Sequence, residues 1–342
     1  MSHRKHWILV GEEISDKSEV ISGCPQSTVL WPILAVVFLS DVDKNVQNLI
    51  QMFCDDTRVL GPVSSEEDVE KLQDDLETIY LWAKENNMTF NDKKFELLRY
   101  GSNQTLKENT FYLSSDEEVI EEKDNLRDLG LQMNNSATFS DHISRVVSKV
   151  QQRSGWVFRT FTCRSPFFMK TMWRQIIQPH IDYCSQIYQP TAGEELSKLE
   201  NLQKHFTSRV KVDKSLDYWE RLQVLQLSSI QRRFERYRII YIWKILENLV
   251  PNCNILSTQN LRLGRLVVIP QMKRNIPTNI KKIRESSFQV HGGKLFNALP
   301  KELRDAKFTS VEEFKAELDA FLANVPDQPN IPGVHYTLVE FV

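Results

Sequence analysis

The sequence predicts an α+β fold: a small antiparallel sheet with helices, followed by a mostly helical C-terminal region. Three observations carry this. In the first 139 residues, apolar positions alternate or run in short blocks bounded by turn residues. From Ser140 the apolar spacing becomes helical over long stretches. The charge changes sign at about the same point: residues 1–143 hold 13 Lys and Arg against 27 Asp and Glu, residues 144–290 hold 25 against 10, and residues 291–342 hold 5 against 8. The total of −2 hides that asymmetry. A basic middle segment suits a polyanion such as a nucleic acid, or else helices with solvated basic faces.

Residues 7–22 alternate in places, with Trp7, Leu9 and Val20 apolar, and read as strands; Gly23, Pro25 and Ser27 break the pattern. An apolar helix is expected from Thr28 to about Leu39. Asn48 to Leu60 is apolar on both sides of Asp55-Asp56 and ends at Gly61-Pro62, which predicts a hairpin with two aspartates at or near its tip. Ser64-Ser65 before Glu66-Glu67 opens a helix of the capping-box type that runs to about Asn87, with Val69, Leu72, Leu76, Ile79, Tyr80 and Ala83 on one stripe. A short strand is expected over Phe95–Tyr100 and a hairpin over Leu126–Met133. Beyond Ser140, Ile143, Val146, Val147 and Val150 form one stripe, and further helices fit 166–180, 194–210 and 228–249. Residues 251–280, with three prolines and few acids, read as a linker; Ser310-x-x-Glu313 opens a last helix over 310–324; a proline-rich, poorly ordered tail follows. The predicted divisions are 1–139, 140–250, 251–325 and 326–342.

The longest apolar run, Val29–Leu39, is too short for a membrane span and contains Pro32, so a buried core segment is expected. Five scattered cysteines, Cys24, Cys54, Cys163, Cys184 and Cys253, show neither zinc nor redox spacing and are expected to be reduced thiols in an intracellular protein.

Taken alone, Asp55-Asp56 says little, because aspartate is a common turn residue. Its neighbours add order. Ser22-Gly23-Cys24-Pro25-Gln26 precedes Phe53-Cys54-Asp55-Asp56 with an apolar helix between them. Trp82, Asn87-Met88-x-Phe90-Asn91-x-x-Lys94-x-Glu96 and then Leu126-x-x-Leu129-Gly130 follow. This series resembles the reverse transcriptase domain of non-LTR, jockey-like retrotransposons, whose motifs run SGxPQG, xADD, WxxxNxMxFNxxKxE and a YLG-type hairpin. His142-Ile143, Arg159-Thr160-Phe161, Tyr183-Cys184-Ser185, Tyr188-Gln189-Pro190, Tyr218-x-Glu220-Arg221-Leu222, Arg232-Arg233 and Asn297-x-Leu299-Pro300 extend it over nearly all of residues 4–330.

The resemblance implies a partial reverse transcriptase palm over 1–139, a thumb-like helical region over 140–250, a polyprotein-type C-terminal region over 251–325, and RNA-directed DNA polymerisation. Nucleotidyl transfer of this kind needs carboxylates that hold two Mg²⁺ ions about 3.5–4 Å apart. Asp55 would be the main metal ligand and Asp56 the second, with Mg²⁺ as cofactor. Gly23, Pro25 and Gln26 would lie against nucleotide and template, and Lys94 near the pyrophosphate leaving group. An RNA template and a DNA primer would be the partners, with other retrotransposon-encoded chains as further candidates and no membrane.

The sequence departs from the family in places. A further metal-binding aspartate is expected upstream of the SGxPQG loop, in an F-x-D-x-x-x-A-F-D stretch; only 21 residues precede Ser22 and their acids, Glu12, Glu13, Asp16 and Glu19, lack that context. Ser27 and Trp31 stand where the family has glycine, and Cys54 where it has alanine. Weak or absent polymerase activity is therefore expected of this chain alone. The competing expectation is a nucleic-acid or protein interaction module in 144–290, with Arg232, Arg233 and Arg236, and nearby Arg238, interleaved with Phe234 and Tyr237.

Overall fold

The computed structural model describes residues 4–20, 28–54, 56–101, 104–188, 190, 193–251, 253, 255–271 and 276–327. It has mixed helices and two-stranded antiparallel sheets, an α+β chain. Two compact units form, residues 1–97 with 101–123, and residues 98–100 with 124–342. The division falls at Lys123, not at 139.

In the first unit, β1 (Arg4–His6) pairs with β4 (Ser18–Val20) and β2 (Leu9–Val10) with β3 (Glu13–Ile14). Helix α1 (Leu30–Phe38) has no buried residue, so the apolar run expected to be a buried core segment instead leaves Leu30, Ile33, Val36 and Val37 exposed. The hairpin of β5 (Leu49–Phe53) and β6 (Asp56–Leu60) follows, then α2 (Glu66–Glu85). Ser65 caps α2 by accepting from the Asp68 amide, and the Asp68 carboxylate accepts in return from the Ser65 amide at 3.1 Å. The helix ends as the Asn86-Asn87 stop suggests. Asn87 takes φ 54, and the Met88 amide donates back to the Ala83 carbonyl at 2.8 Å, which satisfies carbonyls the helix end leaves open.

The expected strand over Phe95–Tyr100 does not form. Asp92–Lys94 makes one 3₁₀ turn and Leu97 makes a single parallel bridge to Glu122. The stacked rings of Tyr80 and Phe95, with Phe90 between 5.8 and 5.9 Å from each, hold this stretch on α2 instead. A short helix α3 (Gln104–Asn109) follows.

In the second unit, β7 (Asn125–Asp128) and β8 (Leu131–Asn134) form the expected hairpin around Leu129 (φ 44) and Gly130 (φ 88). Positive φ at both central residues is the tight-turn geometry that matches strand twist. Leu131 is buried with the helices, so the hairpin belongs to the helical unit. Helix α4 (Ser140–Thr160) buries Ile143, Val146, Val150 and Val157. The expected helix over 166–180 is α5 (Pro166–Met172), a π turn at Trp173–Ile177 and α6 (Gln178–Asp182). Then come α7 (Gly193–Thr207), α8 (Tyr218–Leu225) and α9 (Ile230–Leu246).

Residues 251–280 are not simply a linker: β9 (Ser257–Asn260) pairs with β10 (Gly264–Val267). Arg304 donates to the Arg265 and Leu263 carbonyls, and Asn297 bonds both the amide and the carbonyl of Val267. Helices α10 (Thr278–Ser286), α11 (Gly293–Asn297), α12 (Lys301–Asp305) and α13 (Val311–Leu322) complete the unit. Ser310 caps α13 as expected, while the Glu313 carboxylate takes the Thr309 amide at 2.7 Å.

Helix α9 is the spine. Ile230 and Phe234 lie in one core with Val150, Trp173, Ile181 and Phe206; Ile239, Ile242 and Trp243 lie in a second with Phe296, Phe314 and Leu318. A helix that meets protein on most of its circumference has no solvated polar face. Within the expected tail, Asp327 accepts from the Ser229 amide and hydroxyl; residues 328–342 lie outside the described residues.

Candidate functional site

In the acidic hairpin, Phe53 faces Asp56 across the strands, so the connection is the two residues Cys54-Asp55. Cys54 takes φ 55, the left-handed region that a non-glycine side chain adopts at a cost of about 1 kcal/mol. Asp56 is exposed at the start of β6, and Phe53 beside it is 60% exposed. Asp55, Gly23, Pro25 and Gln26 lie outside the described residues.

The hairpin is set by a residue that sequence reading missed. Asp75 is 1% exposed and accepts from the Gln47 amide (2.7 Å), the Asn48 amide (2.8 Å) and the Asn48 side chain (2.8 Å). It ties the start of β5 to α2. The signal was there: Asp75 is three residues after Leu72 and four before Ile79, on the apolar stripe of α2, where a buried carboxylate must find donors.

Lys94 closes the 3₁₀ turn, exposed, and no hydrogen bond or ion pair joins it to Asp56. Much of the rest of its motif has structural work. Asn87 ends α2, Phe90 packs on Tyr80, Asp92 accepts from the Ser115 hydroxyl at 2.7 Å, and Glu96 pairs with Lys123 at 2.5 Å. Lys94 has no ion pair among the described residues.

Two Mg²⁺ ions require a close cluster of oxygen donors. Among the described residues, no group of three or more His, Cys, Asp or Glu side chains could hold a metal ion. Asp56 with its described neighbours therefore does not fit a complete two-metal site.

Replacing Cys54 by glycine removes the penalty at φ 55 and is expected to stabilise the hairpin by about 1 kcal/mol; Cys54→Val should cost at least as much. Hydrogen exchange of the Met52–Val59 amides reads this, and equal protection in both variants refutes it.

In the second unit, the expected basic stripe on α9 is corrected. Arg232 is 5% exposed, donates to the Pro326 carbonyl at 2.7 Å and lies 3.8–3.9 Å from Asp327 and Glu235. Arg233 pairs with Asp182 at 2.5 Å, and Tyr237 donates to the same carboxylate. Arg236 pairs with Asp319 of α13 at 2.5 Å. Arg238 is fully buried, donates to the Ser286 carbonyl at 3.0 Å, and burial pushes its pKa down to about 9. These four cations hold helices together; a phosphate would have to displace their carboxylates and carbonyls.

The Tyr183–Tyr188 stretch is likewise structural. Tyr183 donates to the Leu129 carbonyl at the hairpin tip, and buried Tyr188 donates to the Ile181 carbonyl. The ring of Tyr188 packs edge-on against His142, whose pKa burial pushes down to about 4.

Comparison with known proteins finds two polymerases of mobile elements. The chain is 24% identical over 210 residues to a probable RNA-directed DNA polymerase from transposon X-element of Drosophila melanogaster. It is 26% identical over 222 residues to the RNA-directed DNA polymerase from mobile element jockey of the same organism.

The chain resembles non-LTR retrotransposon polymerases of the jockey type.

The matches cover 58% and 61% of this chain but 23% and 24% of those two polymerases. The chain thus spans about a quarter of the length of the curated relatives it matches. No family model and no solved structure matches. No helix among the described residues is long and apolar enough to cross a membrane, and Cys54, Cys163, Cys184 and Cys253 are free.

Proposed function

We propose that this chain carries reverse transcriptase palm and thumb-like segments that act on an RNA template and a DNA primer, with a metal site that its described carboxylates do not complete. The observation that carries the reading is the β5–β6 hairpin. The antiparallel ladder pairs Phe53 with Asp56, so a two-residue connection stands at its end, where the resemblance puts the family's aspartate pair. In this reading Asp55 and Asp56 contribute two oxygen donors for Mg²⁺, Gly23, Pro25 and Gln26 border the nucleotide, and Lys94 faces the leaving group. The protein works inside the cell with reduced thiols.

Primer extension tests it. The 342-residue chain alone is expected to extend nothing, since its described residues offer no three-ligand cluster. Fused behind the upstream palm segment of the jockey polymerase, it should extend a DNA primer on RNA in Mg²⁺. Asp55→Ala should then lower the rate by roughly a thousandfold, about 4 kcal/mol of transition-state stabilisation, and Asp56→Ala by less. A fusion that folds by circular dichroism yet never extends, or extends regardless of Asp55, overturns the reading.

A further inference from the structure

Two hairpins of this fold treat their outer edges differently. In the second unit, side chains meet the backbone of β10. Asn297 bonds the Val267 amide and carbonyl, Asp305 accepts from the Arg265 amide at 2.6 Å, and Arg304 donates to the Arg265 and Leu263 carbonyls. Such cover keeps an edge strand from pairing with another chain. The β5–β6 hairpin is covered at one end only. A ladder closed by two residues makes Phe53 and Asp56 a hydrogen-bonded pair. Alternation then turns the backbone groups of Gln51 and Leu49 toward β6, and those of Asn48, Ile50 and Met52 outward. Asp75 takes the Asn48 amide at 2.8 Å. Among the described residues, no hydrogen bond reaches the outward groups of Ile50 or Met52, and no third strand joins β5 and β6.

The open strand matches a copy of itself. Leu49-Ile50-Gln51-Met52-Phe53 carries no charge, and Leu49, Gln51, Met52 and Phe53 are exposed. Two antiparallel copies of β5, related by a two-fold axis at Gln51, set Ile50 opposite the second copy's Met52. Each outward amide and carbonyl then finds its partner. Leu49 meets the second copy's Phe53, an aliphatic–aromatic cross-strand pair. Gln51 meets its own copy, and each side-chain amide can both donate and accept. The other edge is unsuited: the same operation on β6, which carries Asp56 and Arg58, sets two arginines face to face. A lone two-stranded hairpin is marginal and gains from added strands.

We infer that β5 is a self-association edge: two copies of this chain pair β5 against β5 across a two-fold axis at Gln51, making one four-stranded antiparallel sheet. The strand is short, so the dimer is weak, with a Kd on the order of 10–100 µM. Residues 1–143 hold 27 Asp and Glu against 13 Lys and Arg and repel their copy, so added salt tightens the dimer. Self-association needs neither a metal nor polymerisation.

Sedimentation equilibrium of the full chain across that concentration range tests it, with a reductant keeping exposed Cys54 a thiol. Wild type should pass from monomer to dimer, more readily at high salt. Gln51→Lys and Gln51→Glu should each weaken association by about tenfold, because like charges then face each other across the axis. An equimolar mixture of the two variants should restore it to within about threefold of wild type. Thr57→Lys, which adds the same charge to exposed Thr57 on β6, should stay within about twofold. In wild type, whatever the folding of the variants, amide exchange should slow with concentration much more at Ile50 and Met52 than at Gln51. A monomer at every concentration, association undiminished by Gln51→Lys, a mixture that restores nothing, or equal slowing at all three amides overturns the inference.

Discussion

Arg232→Ala is expected to destabilise the second unit by about 3–5 kcal/mol, which for a unit of this size lowers the melting temperature by on the order of 10 °C. The side chain is 5% exposed. Its removal takes a cation from beside Asp327 and Glu235 and a donor from the Pro326 carbonyl. Leaving carboxylates in a low-dielectric setting without their cation costs more than the pair itself contributes. Differential scanning calorimetry measures the loss. An Arg232→Ala variant that melts like wild type while losing nucleic-acid affinity would restore the outward-facing basic stripe that the sequence suggested.

The second large effect is a pH dependence. Glu200 of α7 is 1% exposed and accepts from the Tyr218 hydroxyl and from the Ile230 amide at 3.0 Å. Burial pushes its carboxyl from 4.5 up to about 7, against those hydrogen bonds and with a smaller push from nearby Asp327. Between about pH 4.5 and 7 the folded chain therefore holds a proton that the unfolded chain has released. Stability from this group is complete below 4.5 and is lost as pH rises through 7, by roughly 3 kcal/mol in total. Glu200→Gln fixes the neutral form. It should remove that slope and leave the variant more stable than wild type at pH 8 by about 1–2 kcal/mol, one imperfect hydrogen bond being subtracted. Denaturant melts at pH 5 and pH 8 decide it; parallel pH profiles for the two proteins would show that Glu200 is not the titrating group.

Much of the fold was legible because its signals are local. The Asp55-Asp56 hairpin, the Ser65 cap of α2, the stripe of α4 and the Ser310 cap of α13 each depend on residues a few positions apart, and each formed where expected. Helix α8 was missed although its start was readable: Asp217 and Glu220 make a reciprocal capping box. The β9–β10 hairpin was not readable. The residues of β9 are polar and all exposed, and the pair is held by Arg304 and Asn297, some 30 to 40 residues onward.

The acidic hairpin shows the same division. Alternation and turn chemistry placed Asp56 at its tip, while its tether to α2 through Asp75 joins residues 27 and 28 apart.

The sequence by itself determined many of the elements, where several of them start and that residues 144–290 are basic, because propensity, capping and periodicity act within a few residues. Only the tertiary structure decided which cations meet solvent. The partners of Arg233, Arg236 and Ser229 lie 51, 83 and 98 positions away. Helical spacing shows which side chains share a face; what that face meets is set by such distant carboxylates. That is why the arginine-rich α9 became a buried spine.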